Sequence, residues 1–214
     1  MERGLVVSCQ AFESEPLHSC IIMGRMAKAA KEGGAVAIRA NGIADILEIK
    51  KQVDLPIIGI IKKNYPQLVP YITPTIKEVD ELVNAGVDII ALDATANQSE
   101  AFLTTVAKKY PMQKFMADIS TLGEGIRADN LGFEYIGTTL IGYTNQSEKL
   151  DKFEVLQALI NNCRNKVIAE GNFNTPEQAA KAIEMGAYAV VVGSAITRPQ
   201  IISRWFFDAI SKKI

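Results

Sequence analysis

Histidine is almost missing from this sequence of 214 residues, since His18 is the only one. A Ser-His-Asp hydrolase needs a histidine beside its nucleophile and a multi-histidine metal centre needs several, so both classes are excluded. The three cysteines, Cys9, Cys20 and Cys163, are odd in number and lack the short paired spacing of zinc ligands. We therefore expect no metal site, and we expect free thiols in a reducing compartment.

Cofactor and targeting motifs are missing as well. No G-x-G-x-x-G follows a strand and no phosphate-binding P-loop occurs, so we expect a reaction without a cofactor. No apolar run approaches the ~20 residues of a membrane span, and the N-terminal residues lack the pattern of a signal peptide. These absences predict a cytoplasmic protein with no membrane contact.

Neither sign of charge is in excess. The 23 Lys and Arg residues stand against 24 Asp and Glu residues, which gives a formal net charge of -1, and the basic residues are scattered. Nucleic acid is therefore not expected as a partner, and neither is an anionic membrane surface. The pattern favours a small-molecule partner.

The sequence does contain a repeated alternation of short apolar, β-branched runs with longer segments whose apolar residues recur at helical spacing. The short runs predict eight strands, at Leu5–Ser8, Ala35–Arg39, Ile57–Ile61, Asp88–Asp93, Lys114–Asp118, Tyr135–Thr138, Lys166–Glu170 and Ala189–Gly193. The longer segments predict helices at Leu17–Glu32, Ala44–Gln52, Ile76–Asn84, Ser99–Tyr110, Glu124–Leu131, Asp151–Asn162, Pro176–Glu184 and Pro199–Lys212.

The predicted strands are nearly continuous apolar runs, which is typical of a parallel sheet covered on both faces. Eight βα units describe a closed barrel better than an open doubly wound sheet. No Pro/Gly/Ser-rich linker divides the chain. The sequence therefore predicts an α/β protein with one (β/α)8 TIM barrel domain over residues 1–214.

The last predicted helix has an unusually wide apolar surface. The stripe that we expect to pack on the barrel consists of Ile201, Ile202, Trp205, Phe206 and Ala209, and the apolar residues beside it are Phe207, Ile210 and Ile214. The excess favours a homodimer formed through this helix. A stripe that fills the space between the barrel and a neighbouring helix is an equal alternative.

Polar residues end most of the predicted strands, where barrel enzymes place their reactive groups. They are Gln10, Arg39, Lys62, Asp93, Asp118, Thr138 and Glu170. For any one of them, a hydrogen-bonded group that closes the top of the barrel is an equal alternative. Seven together favour an active site.

Lys62 follows residues 56–61, a run without a polar side chain. Burial lowers the pKa of a lysine, and Arg39 and Lys63 would lower it further if they faced the same mouth. A neutral amine could then act as a general base. By strand alternation we expect Lys63 to point outward into solvent.

Glu170 ends the seventh predicted strand and is followed by Gly171-Asn172. Its carboxylate could relay a proton or hold a substrate hydroxyl. An ion pair with a lysine across the barrel is an equal alternative.

Glycine-containing turns follow the last two predicted strands, at residues 171–172 and 193–199, where many barrels hold a phosphate. Gly193 lets backbone N–H groups approach an anion, a short helix after it would add a favourable dipole, and Arg198 could make a bidentate contact. We favour a phosphate site over a pair of tight structural turns.

The segments that carry these residues resemble the N-acetylmannosamine-6-phosphate 2-epimerase family. The matching segments are residues 7–10, 33–41, 58–62, 91–95, 116–119, 135–140, 168–172 and 192–199. Several of them are generic alone, but their joint occurrence along almost the whole chain is specific.

The resemblance implies interconversion of N-acetylmannosamine 6-phosphate and N-acetylglucosamine 6-phosphate by inversion at C2, a step that feeds salvaged sialic acid into amino-sugar catabolism. It implies that Lys62 is the acid/base residue at C2 and that Glu170 is its partner. The residues implied to hold the sugar are Gln10, Arg39 and Asp118. We also expect Thr138, Gly171 and Asn172 to contact the substrate. Those implied to hold the phosphate are Gly193, Ser194 and Arg198.

Ile141 departs from the family pattern, because a polar residue such as His or Ser is expected there. A sugar contact from this position is therefore in doubt.

Two other functions remain open from the sequence. Lys62 could be the nucleophile of a Schiff-base aldolase or of another barrel isomerase, which requires the same neutral amine. The chain could also be a non-catalytic sugar-phosphate sensor that keeps only the phosphate loops, although Lys62 and Glu170 at strand ends argue against this.

Overall fold

The computed structural model describes residues 1–213, so Ile214, expected beside the apolar stripe of the last helix, lies outside the described residues. Eight parallel strands form a closed barrel in sequence order, and the first strand pairs with the last. The strands are β1 (Gly4–Cys9), β2 (Ala37–Asn41), β3 (Ile57–Ile60), β4 (Ile89–Asp93), β5 (Lys114–Asp118), β6 (Tyr135–Gly137), β7 (Lys166–Ala169) and β8 (Ala189–Val192). The predicted (β/α)8 barrel is confirmed.

Helices connect the strands and surround the barrel. They are α1 (Cys20–Glu32), α2 (Ile43–Gln52), α3 (Ile76–Asn84), α4 (Glu100–Lys109), α5 (Leu122–Asn130), α6 (Lys152–Asn162), α7 (Pro176–Glu184), the four-residue α8 (Ser194–Thr197) and α9 (Pro199–Ser211). None of the helices within residues 1–213 is long and apolar enough to cross a bilayer.

The sheet divides the hydrophobic core into two layers because successive strand residues face opposite sides. Ile58, Ile89 and Met116 belong to the cluster inside the barrel, whereas Ile90 and Ala117 belong to the cluster between the sheet and the helices. Both faces of the strands are thus buried, which explains why the strands read as continuous apolar runs.

Two helix starts differ from the prediction by more than one residue. The predicted α1 begins at Leu17, but the helix begins at Cys20, after the extended residue Ser19. The predicted α5 begins at Glu124, but the helix begins at Leu122, because Thr121 and Glu124 form a capping box.

The expectation that the apolar stripe of the last helix packs on the barrel is wrong for Trp205, Phe206 and Ala209, which are exposed. No residue of α9 is buried, and the side chain of Phe206 is 68% exposed. Of the predicted stripe, only Ile201 and Ile202, in the first turns of α9, are partly covered.

Candidate active site

A cavity of about 260 Å³ opens at the carboxyl ends of the strands. Nine of the eleven residues predicted for the site line it: Gln10, Arg39, Lys62, Glu170, Gly171, Asn172, Gly193, Ser194 and Arg198. The other two, Asp118 and Thr138, are almost fully buried behind its wall. The topology thus brings together residues that are up to 188 positions apart, from Gln10 to Arg198.

Lys62 follows β3 and is fixed at its backbone, where its N–H donates to Asn41 Oδ1 at 2.8 Å. Burial of the side chain, with the positive charges of Arg39 and Arg198, lowers the pKa of Lys62 to about 8. Lys63 is exposed, as strand alternation predicts. The second cation that depresses the pKa is therefore Arg198 and not Lys63.

Arg39 lies at the bottom of the cavity between two carboxylates, and its side chain is 1% exposed. Its Nη2 lies 2.5 Å from Asp118 Oδ2, and its Nη1 donates to Asp118 Oδ1 at 3.1 Å. The same Nη1 donates to Glu170 Oε2 at 2.9 Å. The bidentate pair with Asp118 fixes the plane of the guanidinium group beneath the cavity.

Glu170 pairs with Arg39 and not with a lysine across the barrel. Burial raises the pKa of Glu170, and the nearby charge of Asp118 raises it further against the opposing effect of Arg39. A carboxyl group with a raised pKa next to the cavity is able to carry a proton as well as to accept one.

Thr138 acts on the backbone of Glu170. Its hydroxyl donates to the carbonyl oxygen of Glu170 at 2.7 Å and accepts from the N–H of Glu170 at 2.9 Å. Both hydrogen-bonding capacities of the hydroxyl are therefore engaged inside the protein. These two hydrogen bonds fix the backbone of Glu170 at the end of β7.

The two glycine-containing turns also line the cavity. Gly171 has φ of +97° and a Cβ on it would lie 3.3 Å from the carbonyl oxygen of Thr138, so glycine suits both the backbone and the space. Ser194 and Arg198 follow β8, and Arg198 Nη1 lies 3.5 Å from Ser194 Oγ. Arg198 is the cationic residue of the turn after β8.

Two other sequence-predicted positions have different places. Asp93 does not line the cavity, because its carboxylate accepts from the N–H and hydroxyl of Thr95, at 2.9 and 2.7 Å. Gln10 does line it, and its Nε2 donates to Ser8 Oγ at 2.8 Å. Of the strand-end polar residues, Asp93 thus fits the alternative of a hydrogen-bonded group at the top of the barrel.

A family model described as "Putative N-acetylmannosamine-6-phosphate epimerase" matches residues 23–212 of the chain. The chain belongs to this epimerase family. A curated relative from Borrelia garinii subsp. bavariensis, named "Putative N-acetylmannosamine-6-phosphate 2-epimerase", is 55% identical, and the match covers 99% of this chain and 96% of the relative. A relative of the same name from Caldanaerobacter subterraneus subsp. tengcongensis is 54% identical over 100% and 93%.

A solved structure of the family has the same fold. The N-acetylmannosamine-6-phosphate 2-epimerase from Clostridium perfringens is 52% identical and superposes with a TM-score of 0.92, covering 96% of this chain and 92% of that one. The family resemblance seen in the strand-end segments is confirmed.

Eleven residues that line the cavity of this family member were not predicted as site residues, among them Phe12, Tyr71, Thr139 and Tyr143. Thr139 donates to Asp118 Oδ1 at 2.6 Å. Tyr71 and Tyr143 lie in the two longest irregular stretches, residues 63–75 and 139–149, and the position of these stretches after strand ends was a usable signal.

Ile141 is buried among core side chains, at 7% exposure, and does not line the cavity. Ile141, from which a sugar contact was in doubt, thus faces the core, whereas Tyr143 from the same loop after β6 lines the cavity.

Among residues 1–213 no group of three or more His, Cys, Asp or Glu side chains is arranged to hold a metal ion.

Proposed function

We propose that this chain interconverts N-acetylmannosamine 6-phosphate and N-acetylglucosamine 6-phosphate by removing and returning the proton at C2, a step in the salvage of sialic acid. The observation that carries the proposal is Lys62, whose pKa is lowered to about 8 in a cavity that the acid Glu170 and the cation Arg198 also line. The family membership of the chain supports the same substrate pair.

Lys62 is proposed as the base. In the open-chain form of the sugar, the C2 proton is acidified by the C1 aldehyde, and its removal gives an enolate. About half of the Lys62 side chains are neutral near pH 8, so the amine can take this proton without a large energetic cost.

Arg39 is proposed to stabilise the enolate oxygen. Its guanidinium group is already oriented by Asp118, so little reorganisation is needed as negative charge develops. Asp118 is thus assigned to the substrate site through Arg39 and not through a direct contact.

Glu170 is proposed to deliver a proton to the opposite face of C2. Its raised pKa supports a protonated fraction, and its contact with Arg39 places it beside the group proposed to stabilise the enolate. Thr138 is a positioning residue for Glu170 in this account.

The remaining predicted residues are proposed to hold the ends of the substrate. Gln10, Gly171 and Asn172 line the wall available to sugar hydroxyls. The phosphate is assigned to Gly193, Ser194 and Arg198, because a guanidinium group, a hydroxyl and a glycine turn that admits an anion to the backbone lie together there.

We further propose a homodimer formed through α9, which is supported by the exposure of Phe206, Phe207 and Ile210 at 68%, 59% and 59%. A cytoplasmic location is proposed because the three cysteines are free thiols, as a reducing compartment maintains.

The function is tested by an NMR time course with N-acetylmannosamine 6-phosphate in heavy water. We expect N-acetylglucosamine 6-phosphate to appear with deuterium at C2. Retention of the C2 hydrogen in the product would rule out deprotonation, and absence of turnover would favour the sensor alternative. Trapping of a lysine adduct by borohydride would favour the Schiff-base alternative.

A further inference from the structure

Glu15 connects the loop between β1 and α1 with the segment after β8. Its Oε1 lies 2.9 Å from Arg198 Nε, and its Oε2 accepts from Arg198 Nη2 at 3.0 Å. It also accepts from Gln200 Nε2 at 3.0 Å. One carboxylate therefore holds two side chains that lie 183 and 185 positions further along the chain.

The carboxylate occupies one edge of the arginine. A guanidinium group offers two edges for bidentate pairing, one formed by Nε and Nη2 and the other by the two terminal nitrogens. Glu15 lies along the first edge, where Nη2 donates to it and Nε is within ion-pair distance, whereas Nη1 lies next to Ser194 Oγ, a residue that lines the cavity. The pairing thus leaves the second edge on the side of the Gly193-Ser194 turn.

The same carboxylate fixes its own loop. Glu15 Oε2 accepts from the N–H of Phe12 at 2.7 Å, and the N–H of Glu15 donates to the carbonyl oxygen of Phe12 at 2.8 Å. The Phe12 ring lies 5.3 Å from Cζ of Arg198 and 4.9 Å from Nζ of Lys62. The loop is therefore held by its own hydrogen bonds as well as by its contacts with Arg198.

The Glu15–Arg198 pair is largely shielded from solvent, with side-chain exposures of 17% and 21%. A long, flexible arginine loses considerable rotamer freedom when it is held for binding. An existing ion pair with one hydrogen bond supplies that order before the substrate arrives, which lowers the entropic cost of binding.

We infer that Glu15 is a positioning residue that orients Arg198 so that its outer edge receives the phosphate group of the substrate. This inference rests on the proposed phosphate site. Glu15 itself does not contact the phosphate, and it acts through the arginine. The alternative is that Glu15 competes with the phosphate for Arg198, which predicts the opposite sign in every binding measurement below.

The test is calorimetric titration with inorganic phosphate, which needs no turnover. For Glu15→Ala we expect the Kd of phosphate to rise about two- to tenfold, the range expected when one long side chain is no longer held in place. Glu15→Gln keeps one acceptor oxygen without the charge, so its Kd should lie between those of the original protein and Glu15→Ala. Tighter phosphate binding in either variant would overturn the inference.

A double-mutant cycle separates the positioning role from a structural one. In an Arg198→Ala background, Glu15→Ala should change the Kd by no more than about twofold, because the residue through which it acts is gone. An equal loss in both backgrounds would overturn the inference. Glu13→Ala, an exposed glutamate in the same loop, is the matched control and should leave the Kd unchanged.

Steady-state kinetics with N-acetylmannosamine 6-phosphate give a second readout. Glu15→Gln should raise KM with kcat nearly unchanged, because phosphate binding contributes equally to the ground state and the transition state. If the original protein binds phosphate but does not turn over the sugar, the proposed function fails while the calorimetric test of Glu15 still stands.

Discussion

Lys62 is the residue on which the proposed chemistry depends. Its position after β3 follows from the sequence, but the size of its pKa shift does not, because the shift depends on cations from distant segments. Arg39 comes from β2 and Arg198 from the segment after β8, and the two oppose protonation of the same amine. Burial supplies the largest part of the effect.

Replacement of Lys62 by Met should remove turnover and also reveal the cost of the buried amine. We expect kcat to fall by at least about 100-fold, the range typical of a lost general base. Binding of N-acetylmannosamine 6-phosphate, measured by calorimetry, should remain within about tenfold, since Arg198 still holds the phosphate. Turnover at the original rate would contradict the assignment of Lys62 as the base.

The stability of the same variant should depend on pH in a defined direction. The folded protein disfavours the protonated amine, so below about pH 8 Lys62 is a destabilising charge, and Lys62→Met should have the higher Tm. Between about pH 8 and about pH 10.4, the pKa of a free lysine, the unfolded chain binds more protons and the original protein gains stability. The Tm difference should therefore shrink over this interval, as scanning calorimetry can measure. A difference that grows with pH would contradict the lowered pKa.

At the scale of elements, the short strand β6 makes room for the charged network. A Cβ on Gly137 would lie 2.2 Å from Met116 Cε, and Met116 Sδ is itself 3.7 Å from Arg39 Nη1. The same Cβ would lie 3.4 Å from Asp118 Oδ1. The absence of a side chain at this position thus leaves space for the groups that orient Arg39.

Gly137→Ala should therefore disturb both stability and activity. We expect a loss of about 1–3 kcal/mol in the free energy of unfolding, as for other overpacked cores, together with a lower kcat/KM because Met116 must move against Arg39. Denaturant unfolding and steady-state kinetics measure the two effects. Gly123→Ala in α5 is the control, since no atom lies within 4 Å of the added Cβ, and it should be neutral or slightly stabilising. Equal behaviour of the two variants would contradict the packing argument.

The elements themselves were largely predictable from the sequence, whereas their ends were not. Each of the eight predicted strands overlaps an observed one, because buried parallel strands read as apolar runs of β-branched residues. The start of α5 was missed although Thr121 and Glu124 form a readable capping-box pair.

The site was predictable where a strand end fixes the direction of a side chain. Arg39, Lys62 and Glu170 all face the cavity as expected. Strand alternation was not enough at β6, which ends at Gly137, one residue earlier than predicted. The hydroxyl of Thr138 therefore binds the backbone of Glu170, and the neighbouring Thr139 lines the cavity. Phe12 and Glu15 lie in a loop, where periodicity gives no information about direction.

At the scale of the whole molecule, α9 stands out because none of its residues is buried against the rest of the protein. Its apolar residues extend around most of the helix, and its polar residues are Gln200, Ser203, Arg204, Asp208 and Ser211. A helix of this kind would be expected to bury its apolar face against another surface. A second copy of the chain, with the same exposed helix, supplies such a surface in the proposed homodimer.

Phe206→Glu should therefore shift the protein from dimer to monomer, because a carboxylate buried without a partner costs several kcal/mol. Sedimentation velocity at micromolar concentration measures the shift. Ser211→Glu places the same charge on the polar side of α9 and should leave the dimer intact. A monomeric original protein at these concentrations would contradict the proposal.

The central claim is that the amine of Lys62 loses its proton near neutral pH, and its titration can be measured directly. In protein labelled with ¹⁵N-lysine, the Lys62 side-chain signal can be assigned by its absence from Lys62→Met and followed from pH 6 to pH 11 by NMR. We predict a midpoint at about pH 8. A midpoint above about pH 10, the value of an unperturbed lysine, would contradict the account.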